Sequence, residues 1–292
     1  MLGILNPIRF VIEPKLVGVF GDPVDENPTV VLEQAAFDAA GLPFRYLTIQ
    51  VKEGDLEDAI KGMKAMNFTG IGITMPFKRE VIQYLDDLSD AARVMNAVNC
   101  IYYKEGKLFG ENTDGKGFMK SLEVGNVDTK GKKVVILGAG GVASAISVEL
   151  AYSGAEKITI VNRNEENGKR LVDTLKSNTD AEAVFVKWEG TYEIPQDTEI
   201  LVNCTPIGFS DPEKKPDINY DSVKQNMIVC DVIPNAMTTR FLDEAKKRGC
   251  KTFCGLEMLV YQGVLGYEYW TGESPDVDVM LNAIKKEYGI AE

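Results

Sequence analysis

Lys78 closes the run 70-GIGITMPFKRE-80, a buried-strand pattern entering a proline turn. Asp114 lies in 111-ENTDGKGF-118, just downstream of 96-NAVNC-100, which supplies Asn99. A lysine and an aspartate brought together across a cleft can share a proton, with burial and each other's charge tuning both. The chain has no histidine, so histidine triads, relays and zinc sites are excluded and acid–base work falls to Lys, Asp, Glu, Tyr or Cys. Read in isolation, Lys78 and Asp114 are more often a surface ion pair.

A second group of residues has phosphate-binding character. Gly138-Ala139-Gly140-Gly141-Val142-Ala143 fits G-x-G-x-x-A directly after the strand pattern VVIL and opens a helical one. Such glycines allow a tight turn and let backbone N–H groups approach a pyrophosphate at the helix N-terminus. The next strand ends in Asn162-Arg163-Asn164-Glu165-Glu166. An acid there holds an NAD ribose and an arginine the 2′-phosphate of NADP. Arg163 suits adenine or a phosphate, whereas Glu165 and Glu166 would repel a 2′-phosphate, which tilts the reading toward NAD. The same two glutamates also suit a helix first turn.

The elements that must position these residues alternate between helix and strand patterns, which predicts an α/β fold with a largely parallel sheet. At 292 residues the chain has room for two domains. The sequence predicts a substrate-binding domain over 1–115 plus 266–292 and a Rossmann-type domain over 116–258, with 259–265 in a returning helix. A break is expected at 121–133, short helices at REVIQYL and SDAARVM, and a hairpin over 99–112 turning at Glu105-Gly106. Asn27 reads as an N-cap with Pro28 opening the helix.

The net charge of −12 argues against nucleic acid and anionic membranes as partners. No apolar run approaches the ~20 residues of a membrane span, and MLGILNPIRFVIEPK lacks a signal-peptide pattern, so a cytoplasmic protein is expected. The five cysteines form no C-x-x-C pair and read as buried free thiols, with no metal. Monomer and homodimer are left open.

In order along the chain stand GDPV (21–24), TMPFK (74–78), NAVN (96–99), NTDGKGF (112–118), GAGGVASA (138–145), NR (162–163), NCTPIG (203–208) and GLEMLVYQG with WTG (255–263, 270–272). In these motifs and their spacing the chain resembles the shikimate/quinate dehydrogenase family over nearly its whole length. The resemblance implies hydride transfer between a nicotinamide cofactor, NAD or NADP, and a ring hydroxyl. It implies that Lys78 and Asp114 handle the hydroxyl proton, that Thr74, Asn99 and Gln262 bind substrate hydroxyls, and that Thr205, Gly208, Gly255 and Met258 lie near the nicotinamide. NTDGKGF and GLEMLVYQG speak against a folate-type methylene dehydrogenase, and the intact Lys78, Asp114 and Asn99 against a non-catalytic dinucleotide-binding regulator.

The departures from the family pattern cluster. Asn27-Pro28-Thr29 replaces a Ser-x-Ser or Ser-x-Thr whose hydroxyls bind the substrate carboxylate. Gly72 replaces an Asn, Pro234 a carboxylate-binding Tyr, and Asp25-Glu26 an Ala-His. Two substrates stay open. In one reading Asn27 caps the helix while Thr29 and free N–H groups still hold the carboxylate of shikimate or quinate. Alternatively, losing a Ser and the Tyr costs about 3–6 kcal/mol, two to four decades of carboxylate binding, and favours a neutral or amine-bearing cyclic polyol.

Overall fold

A computed structural model describes residues 14–25 and 27–290. Glu26 and the opening segment MLGILNPIRFVIE lie outside the described residues, so neither the charge expected of Glu26 nor the leader reading is addressed by it.

The first sheet combines β1 (Lys15–Gly21), β2 (Phe44–Gln50), β3 (Gly70–Ile73), β4 (Asp87–Leu88), β5 (Cys100–Lys104) and β6 (Lys107–Glu111), in the order β2-β1-β3-β5-β6-β4. β1 runs parallel to β2 and β3, while β5 is antiparallel to its neighbours β3 and β6. The β5–β6 hairpin turns at Glu105 and Gly106, both at positive φ (53° and 79°), the conformation a tight two-residue hairpin turn needs. Around this sheet lie α1 (Thr29–Ala39), α2 (Leu56–Ala65) and α3 (Asp90–Met95). α2 buries Leu56, Ile60 and Met63, the 3–4 spacing of an apolar stripe.

α4 (Thr113–Val124) leads into the second sheet, formed by β7 (Lys133–Leu137), β8 (Lys157–Asn162), β9 (Glu182–Lys187), β10 (Ile200–Asn203), β11 (Ile228–Asp231) and β12 (Lys251–Phe253). Its order is β12-β11-β10-β7-β8-β9 and every pairing is parallel. That is the doubly wound dinucleotide-binding order, with its switch point beside β7. α5 (Gly141–Tyr152), α6 (Glu165–Asn178) and α7 (Arg240–Lys247) connect these strands, and both sheet faces are covered, so ILVN is buried throughout and IVCD nearly so, each apolar up to its last residue. α8 (Gly255–Thr271) crosses back and packs on α4, and α9 (Val277–Glu287) packs on α1, with Leu32 and Met280 in one core.

Three local expectations shift. REVIQYL forms a single 3₁₀ helix, Glu80–Tyr84, not an α-helix. The break placed at 121–133 begins later, because α4 continues to Val124 while burying Ser121 and Leu122. Cys204 is only half-buried, whereas the other four thiols are buried, all five unpaired.

Candidate active site

The α1 entrance forms much as its sequence suggests. The helix starts at Thr29, one residue later than the Asn-Pro reading, and Asn27 Oδ1 accepts the Thr29 N–H at 3.0 Å. Asp25 is exposed and does not line the cavity below. Its charge is therefore directed away from the ligand space, which weakens the electrostatic half of the case against an anion.

Lys78 is placed by backbone on both sides. β3 ends at Ile73, the Phe77 N–H closes the following turn onto Thr74 O at 3.0 Å, and Phe77 is fully buried. The Val98 N–H then bonds Lys78 O at 2.7 Å, pinning the lysine to the NAVN segment. Asp114 sits in the first turn of α4, where a carboxylate is favoured by the helix end, and Asn112 caps that turn by accepting the Asp114 N–H at 3.1 Å. Lys78 Nζ meets Asp114 Oδ2 at 2.6 Å, and Asn99 Nδ2 donates to Asp114 Oδ1 at 2.8 Å. Asn99 Oδ1 in turn accepts the Thr113 N–H at 2.7 Å. The pair is mostly shielded, with Lys78 and Asp114 side chains 25% and 17% exposed. It is therefore no surface ion pair, and its three fixed members leave Lys78 two further N–H donors for a ligand oxygen.

A cavity of about 200 Å³ opens on this pair. Its wall contains Asn27, Thr29, Thr74, Lys78, Asn99, Asp114, Gly255, Met258 and Gln262, so nine residues predicted from separate motifs converge. Gln262 comes from α8 and lies 3.4 Å from the Thr113 hydroxyl, spanning to the start of α4. The departures Gly72 and Pro234 line the same space. Lys78, already paired with Asp114, is the one cation among the described lining residues.

The dinucleotide residues lie apart, at the C-terminal ends of β7, β8 and β10. Gly138 has φ +108°, and a Cβ there would come 2.9 Å from Cys204 O, so the turn requires glycine. A Cβ at Gly140 or Gly141 would meet nothing within 4 Å. No side chain caps α5, which leaves its first N–H groups facing open space, an arrangement suited to a pyrophosphate. Val142 and Ala143 form the first turn, with Ala143 buried beneath it and Ala139 packed alongside. Asn162 Nδ2 bonds Asn164 O at 2.8 Å and so shapes the loop. Arg163 is exposed and lines a second cavity of about 370 Å³ with Lys214 and Lys215. Glu165 does not face that space unopposed: it pairs with Lys169 at 2.6 Å and Lys187 at 3.7 Å, which hold its carboxyl below the usual range. The tilt toward NAD rested on the charges of Glu165 and Glu166, and the first of these is countered. Thr205 donates its hydroxyl to Asn203 Oδ1 at 2.7 Å, and Gly208 turns at φ +104°; neither reaches the main cavity.

Sequence reasoning overlooked Glu33, Tyr46, Thr113 and Trp270, which also line the cavity. Glu33 follows Thr29 by four residues and so shares its helix face, and Tyr46 is on the buried alternation of β2. Those periodicities were the available signals. Among the described residues no cluster of three or more His, Cys, Asp or Glu could hold a metal, and no helix is long and apolar enough to cross a membrane.

Comparison with known proteins agrees with this geometry. The family model for the shikimate dehydrogenase substrate binding domain matches residues 19–101, that for shikimate / quinate 5-dehydrogenase residues 121–206, and that for the shikimate 5′-dehydrogenase C-terminal domain residues 255–285. Shikimate dehydrogenase (NADP(+)) of Desulforamulus reducens is 38% identical over 277 residues, 94% of this chain and 95% of its own. Among solved structures, ligand-free 5-ketofructose reductase of Gluconobacter sp. strain CHM43 is 44% identical with a TM-score of 0.92, covering 94% of this chain and 99% of its own. Shikimate 5-dehydrogenase of Listeria monocytogenes, in complex with shikimate and NAD, is 32% identical with a TM-score of 0.87, covering 93% and 96%. With the Lys78–Asp114–Asn99 network and the doubly wound second sheet, these matches establish that the chain belongs to the shikimate/quinate dehydrogenase family of nicotinamide-dependent oxidoreductases acting on CH–OH groups.

Proposed function

We propose that the protein transfers hydride between NADP and a CH–OH or C=O carbon of a neutral polyhydroxylated ring or keto-sugar. The reacting oxygen sits against Lys78 and Asp114, which pass its proton, while Asn99 holds Asp114 and Thr74 and Gln262 hydrogen-bond neighbouring hydroxyls. The cofactor, when bound, supplies or accepts the hydride. The α5 turn at Gly138–Ala143 holds its pyrophosphate, Gly255 and Met258 border the cavity where its reactive ring must approach, and Thr205 and Gly208 support that side.

The observation that carries the choice of a neutral substrate is the make-up of the cavity wall away from Lys78. Among the described residues it offers Asn27, Pro234 and an unpaired buried acid, Glu33, and no free cation. The family relative named 5-ketofructose reductase supports the same class. Shikimate or quinate is the second reading. It is favoured by the Thr29 hydroxyl at a helix N-terminus and by the names of the relatives, although the Thr29 N–H is taken by Asn27. NADP over NAD is supported by Arg163 with Lys214 and Lys215 around one cavity and by Glu165 being neutralised by two lysines.

Steady-state rates test both choices: 5-ketofructose reduction with NADPH and NADH, and shikimate and quinate oxidation with NADP and NAD. The expected result is a kcat/KM for 5-ketofructose at least tenfold above the two acids, with NADPH preferred. A preference for shikimate or quinate would overturn the neutral-substrate reading.

A further inference from the structure

Glu33 is fully buried, with 0% exposure, yet it belongs to the wall of the substrate cavity. It lies on the Thr29 face of α1, one turn or ~6 Å further along the axis. Its carboxyl fits against two glycines of α8: a Cβ at Gly263 or Gly266 would stand 3.3 or 3.5 Å from Oε1. Neither carboxyl oxygen has a hydrogen-bond partner among the described residues. The titratable groups facing it are Tyr46 on β2, Cys100 on β5 and Tyr267 on α8, and none is a cation. Burial without an opposite charge raises its carboxyl well above the usual carboxylate range and so favours the protonated acid, which carries one donor and one acceptor.

Tyr46 adds a second unused group. Its hydroxyl bonds no described residue, and a Cβ at position 72 would stand 3.4 Å from it. The glycine at 72 therefore leaves room beside the Tyr46 hydroxyl that any side chain there would fill. Buried polar groups are almost always satisfied inside a protein. Two of them left open on one wall of a cavity point to a ligand that completes them.

We propose that Glu33 and Tyr46 form a second hydroxyl-binding subsite on the α1–α8 wall of the cavity, holding the hydroxyls remote from the reacting carbon of a neutral polyol or keto-sugar. The inference rests on the neutral-substrate reading above. A substrate hydroxyl both donates and accepts, so it satisfies the acid's two oxygens. A substrate carboxylate can share only one proton with Glu33 and leaves the other oxygen facing an anion.

The test compares wild type with E33L, E33Q and Y46F, using 5-ketofructose and NADPH as probes together with thermal melting. E33L should raise KM for 5-ketofructose at least tenfold with kcat within threefold, and E33Q, which keeps a donor and an acceptor, should recover most of that loss. Y46F should raise KM three- to tenfold. E33L should also melt a few degrees higher, because an unpartnered buried polar group is removed. A merely structural Glu33 predicts the reverse: lower melting in both variants and kcat and KM falling together. That result, or an unchanged KM in E33L, would overturn the subsite while leaving the neutral-substrate reading in place. A wild type that does not reduce 5-ketofructose would overturn both.

Discussion

Replacing Pro234 by tyrosine is the most direct way to ask what was removed from the cavity. Pro234 lies in the loop after β11 and lines the cavity from the side of the second sheet. A tyrosine hydroxyl there would supply one hydrogen bond to a substrate carboxylate, typically ~1.5–3 kcal/mol for a charged partner, or about one to two decades in kcat/KM. Asn27→Ser adds less than the sequence alone suggests. Asn27 uses Oδ1 to accept the Thr29 N–H, which leaves its Nδ2 donors for a ligand, so a serine restores shape more than donor count. Gly72→Asn is the tighter change: a Cβ at 72 stands 3.2 Å from the backbone Gly18 O, which must give by a few tenths of an ångström, and 3.4 Å from the Tyr46 hydroxyl. The assay is shikimate oxidation with NADP under steady state, with melting to confirm folding. Pro234→Tyr should raise kcat/KM for shikimate ten- to hundredfold, chiefly through KM, and Asn27→Ser with it should add less than a further decade. An unchanged kcat/KM in a well-folded Pro234→Tyr protein would refute the reasoning and mean that other groups already hold the carboxylate.

Lys78→Met should lower kcat/KM by about two to four decades, the usual worth of a positioned acid–base group, with NADPH binding by fluorescence within about twofold of wild type; retention of a tenth of the activity would remove the pair from the chemistry. Glu149, half-buried on α5 with one oxygen unpartnered among the described residues, has its carboxyl pushed up to about 7 by burial, outweighing the nearby Lys116. The native state therefore binds its proton more tightly than the unfolded chain, so its contribution to stability is lost as pH rises from about 4.5 to 7. The full shift corresponds to about 3 kcal/mol, nearer ~1–2 kcal/mol after solvent screening, and Glu149→Gln should melt higher than wild type at pH 8 but not at pH 4; parallel melting curves across that range would contradict this. Gly117→Ala should destabilise by about 1–3 kcal/mol, because its Cβ would stand 2.6 Å from Gln262 N and 2.8 Å from Met258 O, both backbone atoms of α8; wild-type melting would show that α4 and α8 can part without cost.

The parts of the site legible in the sequence are those in which chain neighbours do the positioning. TMPFK, NAVN and NTDGKGF each carry their own turn or cap, and the Gly138 turn carries its own φ requirement. Lys78, Asn99 and Asp114 could thus be named before their 2.6 and 2.8 Å contacts were known. The illegible parts depend on pairing between distant segments. Glu33 reads as an ordinary charged helix residue until α8 is laid against it with glycines at 263 and 266. Glu165 reads as a ribose ligand until Lys169 and Lys187 are brought to it, one by the helix turn and one by the neighbouring strand β9. The extent of α4 was missed for the same reason: Leu122 is helical because α4 packs on its neighbours, not because Leu-Glu-Val-Gly is a strong helix sequence.

The cavity is divided between two kinds of support, and this explains how the far wall can change while the chemistry stays. Lys78, Asn99 and Asp114 are tied to backbone: Val98 N–H to Lys78 O, Ile73 N–H to Asn99 O, Thr113 N–H to Asn99 Oδ1. The main-chain bonds survive a change of side chain at Lys78, whereas losing Asn99 Oδ1 frees the Thr113 N–H at the start of α4. Asn27, Gly72 and Pro234 lie at a helix entrance, a glycine step and a loop, and beyond the Asn27 cap they contribute no side-chain bond to the fold. Glu33 contributes none either, since neither of its oxygens is bonded. Substrate choice can therefore move by one to two decades per residue at that wall with little cost in stability, and at Glu33 with a gain. The same change at the Lys78 wall would cost the reaction itself. A family built this way keeps its reaction fixed to one CH–OH group and varies what lies beyond it.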